Sequence, residues 1–324
     1  PNAELPRALA QSSQLRAPRP SSPTWCVQPL AGDKLAQLAE ALDLGSRLDQ
    51  SLQDSELREH CFNRAVSLVK DGDFTALSQT KSLVSRLDHL GRTLLMEFAA
   101  RGDLAAIENL ISHKIALTSK GPEGRMALHL AASSGHVALV EPLSQCCAIN
   151  SEDENGVTPL HLAAAFGHVK AACELVNKGA GVNAVARWAF SPEQTLLMTP
   201  LALAVAFEHL ECAQMLLIKQ PDIDLRVPVF GNLLHLAAHF GSFELLEELL
   251  KHKKIQALLN ETDDLGRTAF ATACYAGSIE ILQILHAHNV NIELADRQGR
   301  TPMHWAVLGS HTEVARFIAQ KRPQ

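Results

Sequence analysis

The stretch that decides the fold is Gly156-Val-Thr-Pro-Leu-His-Leu-Ala163, because the chain repeats it. A second clear copy is Gly299-Arg-Thr-Pro-Met-His-Trp-Ala306. Weaker copies of the same pattern begin at Gly91, Gly124, Leu197, Phe230 and Gly266. A pattern repeated in this way indicates a stack of similar units rather than a single central core.

Each copy is followed by a second landmark, usually a glycine, which we call the anchor of the unit. Successive anchors are 30, 33, 32, 41, 33, 36 and 33 residues apart. The anchors are Gly72, Gly102, Gly135, Gly167, Glu208, Gly241, Gly277 and Ser310. A period near 33 residues predicts a supersecondary unit that buries its apolar face only by stacking on its neighbours.

The local chemistry of a unit predicts two helices. Thr158, Thr199 and Thr301 are placed to cap an inner helix, and the proline after each suits its first position. A glycine anchor is expected to end this helix with a positive φ. Apolar residues at helical spacing then predict an outer helix, as in 169–177. An Asp-x-x-Gly sequence before the next unit predicts a turn.

The Thr-Pro-Leu-His core and the period near 33 resemble the ankyrin repeat, over residues 60–324. The resemblance implies an all-α fold, an ankyrin-repeat solenoid of helix-turn-helix units with hairpin-like fingers. We expect a flexible segment at 1–32, a helical N-terminal cap at 33–60, and a repeat domain at 61–324. That domain would hold one degenerate and seven recognisable repeats.

Composition narrows the class of protein. Net charge is −6 and apolar residues make up 47% of the chain. A mildly acidic repeat body argues against a nucleic-acid partner. No apolar run is long enough for a transmembrane helix, so we expect no membrane insertion. Seven cysteines without a CxxC pair fit a reducing, cytoplasmic location, or the host cytosol for a secreted effector.

Two consecutive units depart from the pattern. The spacing of 41 marks an insertion at 184–198 that contains Trp188 and Phe190. The next connection lacks the Asp-x-x-Gly turn and carries Phe230 instead. These three rings either form an exposed aromatic anchor for a partner or fold back and become buried against neighbouring repeats. The sequence leaves both alternatives open.

A second candidate surface comes from the resemblance, which implies that residues just before each anchor face a concave groove. Those positions hold Phe166, Phe207 and Phe240 in three successive units. The preceding position supplies His239 and Tyr275 in two units, and Arg101 stands at one end. The groove would bind an aliphatic peptide or helix, with Arg101 pairing to an acidic residue. Alternatively, the rings pack against each other or beneath the fingers.

The sequence gives little support for a metal site, a cofactor site or an enzyme active site. The motif histidines His129, His161, His235 and His304 are expected to bridge repeats through hydrogen bonds, as the resemblance implies. We therefore expect no metal and no cofactor. No nucleotide-binding, metalloprotease or hydrolase motif occurs, and Cys26 lies in a segment where nothing would orient a base. No catalytic residue is predicted.

The sequence therefore predicts a monomeric, non-enzymatic scaffold or adaptor that binds another protein through its central repeats. Two alternatives stay open. In the first alternative, the chain is a regulatory ankyrin domain of a larger enzyme or channel. In the second, it is a secreted bacterial effector that binds a host protein.

Overall fold

A computed structural model describes most of the repeat region. The described residues are 62–63, 65–70, 72, 92–114, 120–191, 194–219, 221–223, 226–227 and 230–321. The expected flexible segment, the expected cap at 33–60, Cys26 and much of the degenerate unit lie outside them. Two compact units are distinguished: one holds residues up to 163 together with 170–181, and the other holds 164–169 and 182–321.

In the N-terminal unit, helices follow one another in pairs. After a helical segment at 65–70, α1 (Leu94–Arg101) packs on α2 (Leu104–Ser112), and α3 (Ala127–Ser133) packs on α4 (Val140–Ser144). Short 3₁₀ turns precede α3 and α4, at Pro122–Gly124 and Val137–Leu139. Inner helix α1 also stacks on α3, and outer helix α2 on α4. Helices α5 (Pro159–Ala165) and α6 (Val169–Asn177) follow, and the division between the units falls within them.

In the C-terminal unit, the same pairing recurs four times. The pairs are α7 (Pro200–Ala206) with α8 (Leu210–Ile218), α9 (Leu233–Phe240) with α10 (Phe243–Leu250), α12 (Ala269–Ala276) with α13 (Ile279–Ala287), and α14 (Pro302–Leu308) with α15 (Thr312–Lys321). A one-turn helix, α11 (Lys253–Gln256), precedes α12. Inner helices α7, α9, α12 and α14 stack in a row, and so do the outer helices. Apolar side chains of both rows form the core.

The expected caps and anchors are present. Thr199 Oγ1 accepts a hydrogen bond from Ala202 N at 3.1 Å, with Pro200 at the first turn of α7. The glycine anchors Gly102, Gly241 and Gly277 end their helices with φ of 78°, 83° and 83°. Glu208 and Ser310 also adopt positive φ, 62° and 61°. The left-handed turn is therefore kept even where the anchor has a side chain.

The Asp-x-x-Gly turns are held by one carboxylate each. In the C-terminal unit, Asp263 Oδ1 accepts from Leu265 N at 2.9 Å and Arg267 N at 2.8 Å. Its Oδ2 accepts from Arg267 Nε at 2.7 Å. Asp296 and Arg300 repeat this geometry. Because Asp263 is 1% exposed, this hydrogen-bonded turn is part of the packed structure.

His129 and His235 join neighbouring repeats, as the resemblance implied, whereas His304 in the last repeat is exposed and accepts from Thr301 N of its own unit. His129 Nε2 donates to Val157 O at 3.0 Å, and His235 Nε2 donates to Arg267 O at 2.9 Å. In each, Nδ1 accepts from a backbone N–H at the start of the same helix. Both rings are 0% exposed. These imidazoles are structural bridges, with both nitrogens engaged.

The insertion forms the one sheet that the described residues contain. Strand β1 (Ala186–Ser191) pairs antiparallel with β2 (Gln194–Met198). The hairpin precedes α7 and packs on it through β2. The following finger lacks a carboxylate turn and closes instead through backbone hydrogen bonds between Val227 and Gly231, at 2.7 and 2.8 Å. Within the described ranges, no helix is long and apolar enough to cross a membrane.

Candidate protein-binding surface

Three phenylalanines occupy equivalent places in the C-terminal unit. Phe166 follows the last residue of α5, Phe207 is the C-terminal cap of α7, and Phe240 is the last residue of α9. Each is neither buried nor fully exposed. We call these three residues the phenylalanine row. Each of them therefore keeps part of its surface accessible to solvent at the same place in successive repeats.

The hairpin covers one member of this row. Trp188 in β1 meets Phe207 edge to face, with ring centroids 5.9 Å apart and planes at 69°. Trp188 pairs across the hairpin with Leu196, and Ala186 pairs with Met198, on a face where Ala186, Leu196 and Met198 are buried. Trp188 is thus a half-buried contact of the hairpin with the repeat, rather than a ring standing free.

The exposed-anchor alternative is wrong for Phe230, which is 4% exposed. Its ring lies 4.8 Å from the His239 ring and is stacked 6.3 Å from the Phe240 ring, measured between centroids. His239 in turn meets Phe240 edge to face at 5.0 Å. Burial against α9 is favoured because a ring tucked into the repeat removes its apolar surface from water. The buried ring of Phe230 therefore packs against the partly exposed rings of Phe240 and His239.

Tyr275 and Phe190 are two other predicted aromatic residues. Tyr275 is partly exposed, and its ring meets that of Trp305 edge to face at 5.6 Å. Burial raises the pKa of its hydroxyl. Phe190 belongs to β1 by its backbone, and its side chain lies outside the described set. Neither residue is placed in the phenylalanine row.

The Arg101 side chain is already paired with a carboxylate of the same chain. Its guanidinium forms an ion pair with Glu97, and Arg92 Nη1 lies 2.9 Å from the other oxygen of the same carboxylate. Glu97 is 5% exposed, so its charge needs these partners. Arg101 thus already has an acidic partner within the N-terminal unit, and its pairing with an acidic residue of a ligand stays a prediction.

Sequence reasoning missed the outer face of the hairpin. Arg187 pairs with Leu197 and Ala189 with Thr195 on the side opposite Trp188, and all four are exposed. Leu197 is 43% exposed and nearby Val185 is 41% exposed. The alternation of Leu196 and Leu197 between the two faces could have been found by assigning strands to the insertion.

The described residues contain no group of three or more His, Cys, Asp or Glu side chains arranged to hold a metal ion. One cavity of about 430 Å³ lies in the C-terminal unit. Polar lining groups there are used within the protein: Asn232 Nδ2 donates to Leu258 O at 3.2 Å, and Arg226 donates to Thr262 O.

Comparisons with known proteins agree with this architecture. A sequence model described as ankyrin repeats (3 copies) matches residues 67–146, 95–186, 139–227 and 234–324. The crystal structure of the human ASB11 ankyrin repeat domain superposes with a TM-score of 0.60 over 72% of this chain and 99% of that domain. Sequence identity there is 23%, so this likeness concerns the fold alone.

Curated relatives are similar over short stretches. Transient receptor potential cation channel subfamily A member 1 of Homo sapiens is 32% identical over 89 residues, which are 28% of this chain and 8% of that protein. Palmitoyltransferase AKR1 of Candida glabrata is 29% identical over 91 residues, 28% of this chain and 12% of that protein. The chain thus matches only a small part of either. Because the family model covers well over half of its length, this chain belongs to the ankyrin-repeat family.

Proposed function

We propose that this chain is a protein-interaction module whose partner binds the phenylalanine row together with the hairpin at 186–198. The observation that carries the proposal is the recurrence of a partly exposed phenylalanine at Phe166, Phe207 and Phe240. Family membership supports it, because ankyrin repeats generally serve as interaction modules. In this proposal the chain itself catalyses no reaction.

The chemistry of the row defines a suitable partner. Aromatic side chains bury about 150–250 Å² each when covered, and burial contributes about 25 cal/mol per Å². Covering the smaller, exposed part of each of the three rings would therefore contribute a few kcal/mol, which is the scale of an interface hot spot. An amphipathic helix or extended peptide with aliphatic side chains provides such a cover. Leu197 and Val185 on the hairpin extend the apolar surface.

The experiment is affinity capture from cells followed by mass spectrometry. The wild-type chain is compared with a triple variant, Phe166→Ala, Phe207→Ala and Phe240→Ala. Phe243→Ala is the matched control, since Phe243 is 43% exposed but lies at the start of outer helix α10. We expect proteins captured by the wild type and the control to be lost from the triple variant. Retention of those proteins by a folded triple variant would refute the proposal.

A second candidate is a regulatory ankyrin domain of a larger channel or enzyme. The observation that favours it is the similarity to a cation channel and to a palmitoyltransferase, in each of which the matched stretch is a small fraction of the protein. The full open reading frame tests it. A pore or a transferase domain encoded in the same frame would support this candidate, and a frame that encodes repeats alone would exclude it.

A further inference from the structure

Two adjacent cysteines stand at the end of the shortest outer helix among the described pairs. Helix α4 ends at Ser144, and Cys146 N and Cys147 N both donate to Leu143 O, at 3.2 and 2.7 Å. This turn holds Cys146 and Cys147 close together, with their Sγ atoms 3.9 Å apart. The proposed interaction surface does not involve them.

The two thiols differ in their access to solvent. Cys147 is 2% exposed, and its sulfur takes part in a hydrogen bond with the backbone of Leu128 on α3. Cys146 is partly exposed, and its S–H donates to Leu143 O at 3.4 Å. One thiol of the pair is thus open to small reagents, and the other is buried directly behind it.

The hydrogen bond between the thiols favours the thiolate on the accessible side. The two sulfurs share a hydrogen bond in which either can be the donor, and this bond lowers the pKa of Cys146 and raises that of Cys147. Burial raises the pKa of Cys212, to about 12, and also that of Cys274. Thiolate character and exposure together decide the reactivity of a cysteine. Cys146 combines the two.

We propose that Cys146 and Cys147 form a two-thiol oxidation site at which hydrogen peroxide is reduced and a reversible disulfide is made. The Cys146 thiolate attacks one peroxide oxygen, the O–O bond breaks, and the departing hydroxide takes up a proton and becomes water. Cys146 is then a sulfenic acid. The Cys147 sulfur attacks the Cys146 sulfur, the S–O bond breaks, and the Cys147 proton leaves with the hydroxide as a second water. Two thiols lose two electrons, and the peroxide gains them.

Because Cys146 and Cys147 are neighbours in the chain, a disulfide between them is easily reduced. Consecutive Cα atoms are about 3.8 Å apart, whereas ordinary disulfides join Cα atoms about 4.4–6.8 Å apart. A disulfide between neighbours is therefore strained, and strained disulfides are readily reduced. The site would return to the dithiol once a reducing thiol is supplied.

The test uses the full chain, hydrogen peroxide and mass spectrometry of the digested protein. In the wild type, the peptide with both cysteines is expected to lose two hydrogen atoms and to regain them with dithiothreitol. Cys173 serves as the internal control, because it is partly exposed but has no adjacent cysteine. Oxidation of Cys173 while Cys146 and Cys147 both stay thiols would overturn the proposal.

Two variants separate the roles of the thiols. With Cys147→Ala, the sulfenic acid at Cys146 has no resolving thiol, so dimedone should add to Cys146. With Cys146→Ser, a change at a partly exposed position, Cys147 should remain unmodified because it is buried. Oxidation of Cys147 at an unchanged rate in Cys146→Ser would show that Cys146 is not the site of attack, and the proposal would fail even if Cys147→Ala did not fold.

Discussion

The indole of Trp188 meets the ring of Phe207 edge to face, with centroids 5.9 Å apart, and this contact joins the inserted hairpin to the end of helix α7. The hairpin buries the face that carries Trp188 and exposes the face that carries Leu197. The insertion therefore rests on the repeat and presents its opposite face to solvent, which makes it part of the candidate surface rather than a separate finger.

Truncating the indole should loosen this attachment. Trp188→Ala is expected to lower the free energy of unfolding by about 2 kcal/mol, because an aromatic pair contributes beyond its buried area. Urea unfolding of the full chain measures the change. Leu197→Ala in the same hairpin is the control, and as an exposed position it should shift stability by less than about 0.5 kcal/mol. Equal effects at both positions would contradict the assigned faces.

The anchor glycines are expected to differ in their tolerance of a methyl group. Gly241 and Gly277 share a φ of 83°, so Gly→Ala strains both by about 1–2 kcal/mol. At Gly277 an added Cβ would also lie 2.5 Å from the His311 ring, whose Nε2 donates to Tyr275 O. At Gly241 the nearest atom is Ser278 Oγ at 3.8 Å. We expect Gly277→Ala to be more destabilising in thermal unfolding.

A double-mutant cycle isolates the steric part of that difference. If the His311 ring is the obstacle, Gly277→Ala in a His311→Ala background should cost no more than Gly241→Ala. An unchanged cost in that background would assign the difference to another cause. Gly102 faces His136, and Gly167 faces His209, at similarly short distances, so the same coupling is expected in those repeats.

At the anchor Glu208, the informative change is from a residue with a side chain to glycine. It holds φ at 62°, a region that costs a residue with a side chain about 1–3 kcal/mol. Glu208→Gly removes this strain but adds freedom to the unfolded chain, which offsets about 0.4–1 kcal/mol. We expect a net gain of roughly 1 kcal/mol in the free energy of unfolding. Glu211→Gly, three residues along and inside α8, should instead destabilise; a loss at both positions would contradict the strain at Glu208.

Acid should weaken the repeats through their bridging histidines. Burial lowers the pKa of His129 and His235 below the ordinary value of 6.5. Between the folded-state pKa and 6.5, the unfolded chain binds protons that the folded chain does not, so stability falls as pH falls. The contribution is complete above 6.5. Urea unfolding at a series of pH values checks the sign, and stability that rises on acidification through this window would contradict it.

The sequence anticipated the local chemistry well. The threonine cap at Thr199, the left-handed anchor at Gly277 and the carboxylate turn at Asp263 all depend on residues close in the chain, and each is present. The hairpin was not anticipated as strands, because its alternation is short and lies inside an insertion without a repeated counterpart. Whether Phe166, Phe207 and Phe240 bind a partner stays a prediction.

The sequence did not predict how the aromatic residues of the irregular segments pack. Phe230 and Trp188 look alike in the sequence, as rings in departures from the repeat. One is buried against Phe240, and the other is half-covered by Phe207. Arg101 shows the same limit, since its pairing with Glu97 follows from the burial of that carboxylate rather than from the repeat pattern.

By itself, the sequence determined the repeat: its period near 33 residues, its helix pairs and its caps. These follow from interactions within one unit and from identical contacts between successive units, so a repeated pattern encodes them. Only the tertiary structure decided which rings are covered and which keep an accessible face. That outcome depends on how the two irregular fingers pack, and an irregular contact has no second copy in the chain from which it could be inferred.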